Sequence, residues 1–366
     1  MMRRSCLAPR LRIAVSFAGA LVVAASCAPE SGEAQVPPIT PERTLQLLAE
    51  LAHDSLMGRA TGAPGSLKAA RIIAREMERA GLEPAGDSGY YQRVPVAMTS
   101  RVVRGREVTR PTLVAGFEAL DTIPADRHAP ALNVIGVLRG SDPALSSEHI
   151  LVGAHYDHVG VRAPVDSLGN PVPGDSIYNG ADDDASGVVA VLEIARILAA
   201  GPAPGRTIIF AATTGEEVGL LGTRWYIEKP FLPLDQMVAD LEIEMIGRPD
   251  SLAGGPGRAW LTGYERSTMG DMLAADHIPV VPDPRPDQRF FERSDNIAYA
   301  RLGIPAHTLS TFNLHADYHR PSDEAANADP VHMAAVIEAA VRAVRLLADG
   351  PKPEWKEGGR PAAPVR

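Results

Sequence analysis

The chain of 366 residues has very little cysteine and no excess of positive charge. Its two cysteines, Cys6 and Cys27, can build neither a disulfide scaffold nor a cysteine-rich zinc module. Acidic residues outnumber basic ones by 45 to 36, and the net charge is -9. This charge argues against a nucleic-acid partner, which would require a basic face for phosphate. Any metal ion in the folded part must therefore be held by His, Asp and Glu.

The N-terminal residues contain a single apolar run, at residues 13–26, preceded by four arginines and no acid. This pattern predicts a secretory signal peptide over residues 1–26, and the run is too short for a permanent membrane helix. Residues 24–27 resemble a bacterial lipobox, in which Cys27 would be lipidated, although Ala24 stands where that motif usually has Leu, Ile or Val. We therefore expect an exported protein, either a periplasmic or cell-envelope lipoprotein attached only through Cys27 or a secreted protein.

The rest of the chain has the composition of a globular protein, with 45% hydrophobic and 22% charged residues. Small and Pro-rich residues predict a linker over 27–38, followed by an N-terminal helical and strand segment over 39–130. In residues 131–350 apolar strand-like runs alternate with helical patterns, which predicts an α/β domain. Its central sheet should be mixed and mostly parallel, with helices on both faces. The Pro-, Gly- and charge-rich tail at 351–366 is predicted to be disordered.

Polar clusters occur where the predicted strands end. His155 and Asp157 follow one strand, an aspartate run at 182–184 opens a helix, and a glutamate pair at 216–217 follows the next strand. Each cluster alone has an ordinary explanation, such as a helix cap or a solvated face. Glu244 is different, because it lies in an apolar strand where an unpaired carboxylate is costly. Since ligands bind at the carboxyl ends of strands in such sheets, the clusters together predict a metal site.

Six short segments, in this order, resemble the M28 metallopeptidases, the zinc aminopeptidases of the bacterial secreted type. They are Gly153–His158, Gly180–Gly187, Gly215–Leu220, Glu244–Gly247, Ser294–Asn296 and Tyr318–His319. The resemblance covers about residues 40 to 348. It implies a three-layer α/β sandwich of the zinc-peptidase/phosphorylase-like kind and a site with two zinc ions per chain.

The resemblance also implies the metal ligands. His155 would bind one zinc ion, His319 the other, and Asp183 would bridge both. Glu217 and Glu244 would each complete one of the two sites, and which glutamate serves which ion is left open. Most relatives have Asp at the position of Glu244, a shorter side chain than the one present here. Imidazole and carboxylate are standard zinc ligands, so the residue types suit this metal.

Three further residues carry implied catalytic roles: Glu216, Asp157 and Tyr318. Glu216 matches the general base, and Tyr318 matches a tyrosine that hydrogen-bonds the developing oxyanion. Asp157 and Asp295 would accept the free imidazole N–H groups of His155 and His319, which fixes the orientation of a metal ligand. His158 neighbours the site, and we expect it to support the ligands or the fold without binding metal.

These observations favour an exported two-zinc peptidase that removes N-terminal residues from peptide substrates. Two alternatives remain: a glutaminyl cyclase-like acyltransferase with a single zinc ion, and a non-catalytic binding relative. The sequence leaves open the side-chain specificity, a carboxypeptidase or dipeptidase activity, the native metal and the oligomeric state.

Overall fold

The computed structural model of this protein describes residues 36–103, 105–164, 170 and 172–363. The predicted signal peptide, Cys27 and most of the predicted linker lie outside the described residues. Within the described part, we find no helix with both the length and the apolar character needed to cross a membrane. Residues from Val36 onward form one compact unit, in which the N-terminal segment and residues 131–350 contribute strands to the same sheet.

The described residues contain twelve strands and eight α-helices. The strands are β1 (Glu83–Pro84), β2 (Tyr91–Val103), β3 (Arg106–Leu113), β4 (His128–Leu138), β5 (His149–His155), β6 (Gly160–Val161), β7 (Ile177–Tyr178), β8 (Thr207–Thr213), β9 (Met237–Glu244), β10 (Ala259–Leu261), β11 (Val280–Pro282) and β12 (Ala306–Ser310). The helices are α1 (Pro41–Leu51), α2 (Pro64–Arg79), α3 (Phe117–Leu120), α4 (Gly187–Ala200), α5 (Leu221–Glu228), α6 (Met269–Ala275), α7 (Asn296–Leu302) and α8 (Pro330–Asp349).

Ten of these strands form one mixed sheet in the order β11-β10-β12-β9-β5-β8-β4-β2-β3, with β1 paired to β4. The centre of the sheet, β12-β9-β5-β8, is parallel, whereas β4, β2 and β3 extend it in antiparallel fashion. The predicted mixed α/β sheet with a parallel centre is therefore confirmed. The parallel centre places several strand ends at one edge, which is where the polar clusters lie.

Helices cover both faces of the sheet, as the apolar strand runs predict. Alternate residues of β5 enter different apolar clusters: Ile150 and Val152 pack with α1, α2, α4 and α8, whereas Leu151 packs with α5 and α7. A strand that is buried on both faces is a continuous apolar run, because neither set of alternating side chains faces water. The result is a three-layer arrangement with the sheet in the middle.

The C-terminal tail differs from its prediction. Residues 351–363 lie along the folded unit, where the indole N–H of Trp355 donates to the carbonyl of Gly303 at 2.9 Å. The backbone N–H of Thr268 donates to Glu354, and that of Lys356 donates to Arg266, both at 2.9 Å. The expectation of disorder for this segment is wrong, because one aromatic anchor and a few backbone hydrogen bonds hold residues whose composition alone suggests a solvated chain.

Candidate metal centre

The predicted ligands meet at the carboxyl edge of the parallel strands. The strand ends and the loops that follow them carry five candidate ligands: His155, Asp183, Glu217, Glu244 and His319. Two of these are the last residues of β5 and β9, and a third lies in the turn Ala181–Ser186 before α4, hereafter the aspartate turn. Glu217 follows β8 through a bend at Gly215, which has a φ of 78° that a residue with a Cβ atom rarely adopts.

Asp183 belongs to two groups of ligand atoms. In the first group, His155 Nε2 lies 3.3 Å from Asp183 Oδ1 and 3.9 Å from Glu244 Oε1. In the second, His319 Nε2 lies 2.9 Å from Asp183 Oδ2 and 3.1 Å from Glu217 Oε1. The ligand atoms of each group all lie within 4.8 Å of one another. The two oxygens of Asp183 thus face different groups, and the geometry pairs Glu244 with His155 and Glu217 with His319.

His158 also enters the second group. Its Nδ1 atom lies 2.8 Å from Glu217 Oε1 and 3.7 Å from Asp183 Oδ2. The expectation that His158 stays outside the ligand set is not what the geometry shows, since it forms a candidate group with Asp183, Glu217 and His319. Its position three residues after His155 was the only signal in the sequence, and spacing within a loop does not fix where a side chain points.

The buried polar atoms of these groups fit a metal ion. His155 Nε2, His158 Nδ1 and Glu217 Oε1 are buried and have no hydrogen-bond partner among the described residues. Such atoms are costly to bury unless something binds them, and these three lie at the centre of the two groups. Nitrogen and oxygen donors of this kind suit zinc, and other divalent metals can bind similar sites.

The charges of the second group favour a cation at its centre. Burial acts to raise the pKa of Glu217, but the adjacent imidazoles of His158 and His319 outweigh it and lower the pKa to about 2. Burial acts to lower the pKa of His319, yet Asp183 and Glu217 raise it to about 9. The carboxylates therefore stay ionised and attract positive charge, which protons or a metal ion can supply.

A buried arginine that the sequence analysis missed connects the segments around the site. Arg59 is only 1% exposed. Its Nε donates to the carbonyl of Tyr156 at 2.8 Å, and its Nη2 donates to that of Gly180 at 2.9 Å. Its Nη1 donates to the carbonyls of Leu51, at 2.7 Å, and Asn179. One guanidinium thus ties the end of β5 to the residues directly before the aspartate turn.

Two further carboxylates fix the aspartate turn, that of Asp323 outside the turn and that of Asp184 within it. The backbone N–H groups of Asp182 and Asp183 donate to the carboxylate of Asp323 at 3.0 to 3.1 Å. Asp184 Oδ1 accepts the backbone N–H of Met245 at 2.9 Å, which links the turn to the residue after Glu244. The Asp183–Asp184 peptide bond is cis. The turn that carries Asp183 is therefore fixed relative to the end of β9 by hydrogen bonds to backbone N–H groups.

Asp157 has a different partner from the one predicted. His155 Nδ1 lies 3.1 Å from the backbone carbonyl of Asp157 but 3.8 Å from its carboxylate, which is too far for a hydrogen bond. The carboxylate instead accepts the backbone N–H of Glu216 at 3.1 Å and the hydroxyl of Thr61 at 3.0 Å. Asp157 therefore orients His155 through its main chain and fixes the backbone of Glu216 through its side chain.

The predicted contact between Asp295 and His319 is wrong. Asp295 is buried and accepts a hydrogen bond from the hydroxyl of Thr213 at 2.6 Å, and no described contact joins it to His319. Asp295 immediately precedes α7, which packs on the face of the sheet opposite α8, whereas His319 lies in the loop that leads to α8. Burial is the main cause of the raised pKa of Glu216, and the negative charge of Asp295 is one of the smaller causes.

Glu216 and Tyr318 line a cleft beside the two ligand groups, and the cleft has about 480 Å³ of empty volume. Burial and the nearby carboxylate of Glu244 hold the pKa of Glu216 well above its usual range, against the opposing charge of His155. Burial and the charges of Asp183 and Glu244 raise the pKa of the Tyr318 phenol, so its hydroxyl keeps its proton. The tyrosine ring stacks on that of His319, with centroids 4.0 Å apart.

The chain is similar in sequence to known peptidases. Residues 133–344 match the model of peptidase family M28. A probable leucine aminopeptidase 2 of Aspergillus fumigatus is 28% identical over 184 residues, which are 49% of this chain and 33% of that protein. A probable zinc metalloprotease of Pyrenophora teres is 35% identical over 114 residues, 31% of this chain and 22% of that protein. The chain thus aligns with about a third or less of the length of these curated relatives.

Solved structures share the fold. A zinc aminopeptidase from Bacillus subtilis superimposes with a TM-score of 0.60 at 14% identity, covering 86% of this chain and 96% of that one. A Zn-dependent exopeptidase from Parabacteroides distasonis gives a TM-score of 0.57 at 18% identity, with 85% and 99% covered. At these identities the likeness concerns the arrangement of strands and helices alone.

Proposed function

Because the chain belongs to peptidase family M28, we propose that it is a zinc-dependent peptidase that uses two zinc ions to release N-terminal amino acids from peptides. One observation carries the proposal: the two oxygens of Asp183 face two separate groups of imidazole and carboxylate ligands. A carboxylate in this position can hold two metal ions close together. The aminopeptidase names of its relatives support the reaction class.

The ligand roles follow from the two groups. His155, Asp183 and Glu244 would hold one zinc ion, and Asp183, Glu217 and His319 would hold the other, with His158 close to the second. Two such ions would lower the pKa of a shared water and polarise the scissile carbonyl. The protein's part is to keep these ligands in fixed positions, which the hydrogen bonds around the aspartate turn support.

Proton transfer is assigned to Glu216. Its carboxylate lines the cleft and its backbone is fixed by Asp157, which places it to accept a proton and then to release it. Glu216 takes the proton of the attacking water and passes it to the leaving amine. The protonated hydroxyl of Tyr318 donates a hydrogen bond to the oxyanion that develops on the carbonyl.

The test measures zinc content and the release of p-nitroaniline from leucine p-nitroanilide. Glu216→Gln should retain zinc and reduce kcat by about 10²- to 10⁴-fold, the usual contribution of a general base. Glu228→Gln, an exposed glutamate at the end of α5, is the matched control and should keep both. Wild-type turnover by Glu216→Gln would refute the role of the base.

The same preparation separates the alternatives. One zinc ion per chain together with cyclisation of peptides that begin with glutamine would favour the acyltransferase. Two zinc ions without turnover of any peptide would favour a binding relative. N-terminally acetylated and C-terminally amidated copies of one peptide distinguish the direction of attack, since an aminopeptidase requires only the free amine.

Export is a further part of the proposal, and it is supported by the basic start and the apolar run at residues 13–26. Mass spectrometry of the mature N-terminus after expression in a bacterial host tests it. A lipid on Cys27 would identify an envelope lipoprotein, and an unmodified start after residue 26 would identify a secreted enzyme. Retention of residues 1–26 would refute export.

A further inference from the structure

The cleft beside the metal groups has a continuous aromatic wall. The ring of the candidate ligand His319 contacts that of Tyr318, with centroids 4.0 Å apart. The Tyr318 ring contacts that of Phe312 at 5.0 Å, and the Phe312 ring contacts that of Phe290 at 5.7 Å, again between centroids. Trp260 stacks on Phe290 at 5.2 Å. The wall therefore extends from the metal groups at one end to Phe290 and Trp260 at the other.

A cation without an ion pair among the described residues lies beside Phe290 in this wall. The guanidinium of Arg293 sits 5.0 Å from the centroid of the Phe290 ring, and the residue lines the cleft. Nearby arginines such as Arg285 and Arg289 form ion pairs with acids. Arg293 is exposed and forms no ion pair with any carboxylate of the described part of the chain. Its charge is therefore available to a molecule that enters the cleft.

A second donor in the cleft also has no acceptor. Trp260 is 1% exposed, and its indole N–H is buried without a hydrogen-bond partner among the described residues. The polar groups of the cleft floor are already engaged, since the Thr308 hydroxyl donates to Asn296 and Ser310 Oγ accepts the N–H of Phe312. Near Phe290, two donor groups of the described residues thus remain unused, the Arg293 guanidinium and the Trp260 N–H, and both require an acceptor.

We propose that the cleft selects peptides whose N-terminal residue is acidic, glutamate above all, with the side-chain carboxylate bound by Arg293 and the Trp260 N–H. The aromatic wall packs against the methylene stem, while the carboxylate reaches the donors at the far end. The carboxylates at the inner end of the cleft are those to which metal ions would bind. This inference rests on the proposed function, because it assumes that the N-terminal residue occupies the cleft.

The test compares kcat/KM for the p-nitroanilides of L-glutamate, L-glutamine and L-leucine. Glutamate and glutamine have the same shape, so their ratio isolates the charge. The wild-type enzyme should prefer glutamate, and Arg293→Met should reduce that preference by about ten- to a hundredfold, the value of a charge-assisted hydrogen bond. Arg293→Lys should restore part of it. Trp260→Phe, which keeps the ring and removes the N–H, should reduce it to a smaller extent.

Arg224→Met is the matched control, because Arg224 is an exposed arginine on α5 without an ion pair among the described residues, and it should leave all three rates at wild-type values. An equal loss for the three substrates in Arg293→Met would overturn the inference, as would a wild-type enzyme that does not distinguish glutamate from glutamine.

A peptide C-terminus is the other carboxylate that Arg293 could bind, and Leu-Gly compared with its C-terminal amide tests for it. If Arg293→Met impairs only the free dipeptide, the cleft binds a C-terminus and the proposed side-chain role is wrong.

Calorimetry separates failure of this inference from failure of the proposed function. If the zinc-loaded protein cleaves none of the substrates, the proposed function fails. Titration with L-glutamate and L-glutamine then decides the inference by itself. Binding of L-glutamate alone, lost in Arg293→Met, would support it, and equal binding of both or of neither would overturn it.

Discussion

Replacement of Arg59 should weaken metal binding as well as folding. This buried side chain donates four hydrogen bonds to carbonyl groups, and the acceptors include Tyr156, directly after His155, and Gly180, directly before the aspartate turn. Arg59→Lys keeps the positive charge but loses the planar set of donors. Arg59→Met removes the donors and the charge while keeping much of the volume.

The size of the effect follows from these hydrogen bonds. A hydrogen bond that involves a charged group contributes about 1.5–3 kcal/mol to the free energy of unfolding. Removing all four in Arg59→Met also removes the desolvation cost of a buried guanidinium, which is several kcal/mol. The net loss should be about 3–5 kcal/mol, as for other broken buried charge networks. Arg59→Lys should lose about 1–3 kcal/mol, because an ammonium can replace only some of the bonds.

The assay pairs urea unfolding with zinc competition against a chromogenic chelator. Arg206→Lys is a matched control, since Arg206 is also buried and donates to the carbonyls of Leu347 and Gly350 far along the chain from the ligands. Both lysine variants should be less stable than the wild type. Only Arg59→Lys should also bind zinc more weakly, by about 10- to 100-fold, a typical effect of disturbing the support of a ligand.

The two measurements separate a positioning role from a purely structural one. If Arg59→Lys and Arg206→Lys lose similar stability and both keep wild-type zinc affinity, Arg59 supports the fold alone and the reasoning is refuted. Wild-type stability in Arg59→Lys would contradict the hydrogen-bond count itself.

Three further outcomes are expected. Removal of zinc by a chelator should lower the thermal midpoint, since metal at a hundred times its dissociation constant contributes about 2.7 kcal/mol, and an unchanged midpoint would contradict metal binding to the folded state. His158→Asn should weaken zinc binding about tenfold or more if His158 supports or joins the second group, as measured by the same chelator competition. Burial, opposed by a hydrogen bond to Thr262, lowers the pKa of His307 to about 4. Between pH 6.5 and pH 4 this histidine is therefore protonated in the unfolded chain, where its pKa is about 6.5, but neutral in the native state. Stability should therefore fall as pH falls from 6.5 towards 4, and His307→Gln should remove about 2 kcal/mol of the loss between pH 7 and pH 5 in urea unfolding, whereas parallel pH profiles for the two proteins would refute this assignment.

Much of the fold and most members of the candidate ligand groups could be predicted from the sequence, because both depend on local patterns. Apolar runs that alternate with helical periods specify parallel strands with helices between them. Parallel strands end at one edge, so residues such as His155 and Glu244 at strand ends must converge there. The segments that resemble peptidase family M28 then indicate which of the converging residues to choose.

The contacts of side chains in loops were predicted less well from the sequence. His158 and Asp295 lie in segments without a period, where spacing does not fix direction, and the partners inferred for Asp295 and for the carboxylate of Asp157 were not the ones they contact. The tail was misjudged for a related reason, since Trp355 provides an anchor that average composition hides.

The sequence by itself determined the layered sheet, the carboxyl edge at which ligands gather and the identity of the five predicted ligands. Only the tertiary structure decided how the two glutamates divide between the groups and that Arg59 joins the end of β5 to the aspartate turn. It also decided that Arg293 lines the cleft without an ion pair among the described residues. These relations are non-local: Arg59 lies 97 residues from Tyr156 and 121 from Gly180. A hydrogen bond between distant segments depends on how the whole chain packs, so a local sequence pattern cannot predict it.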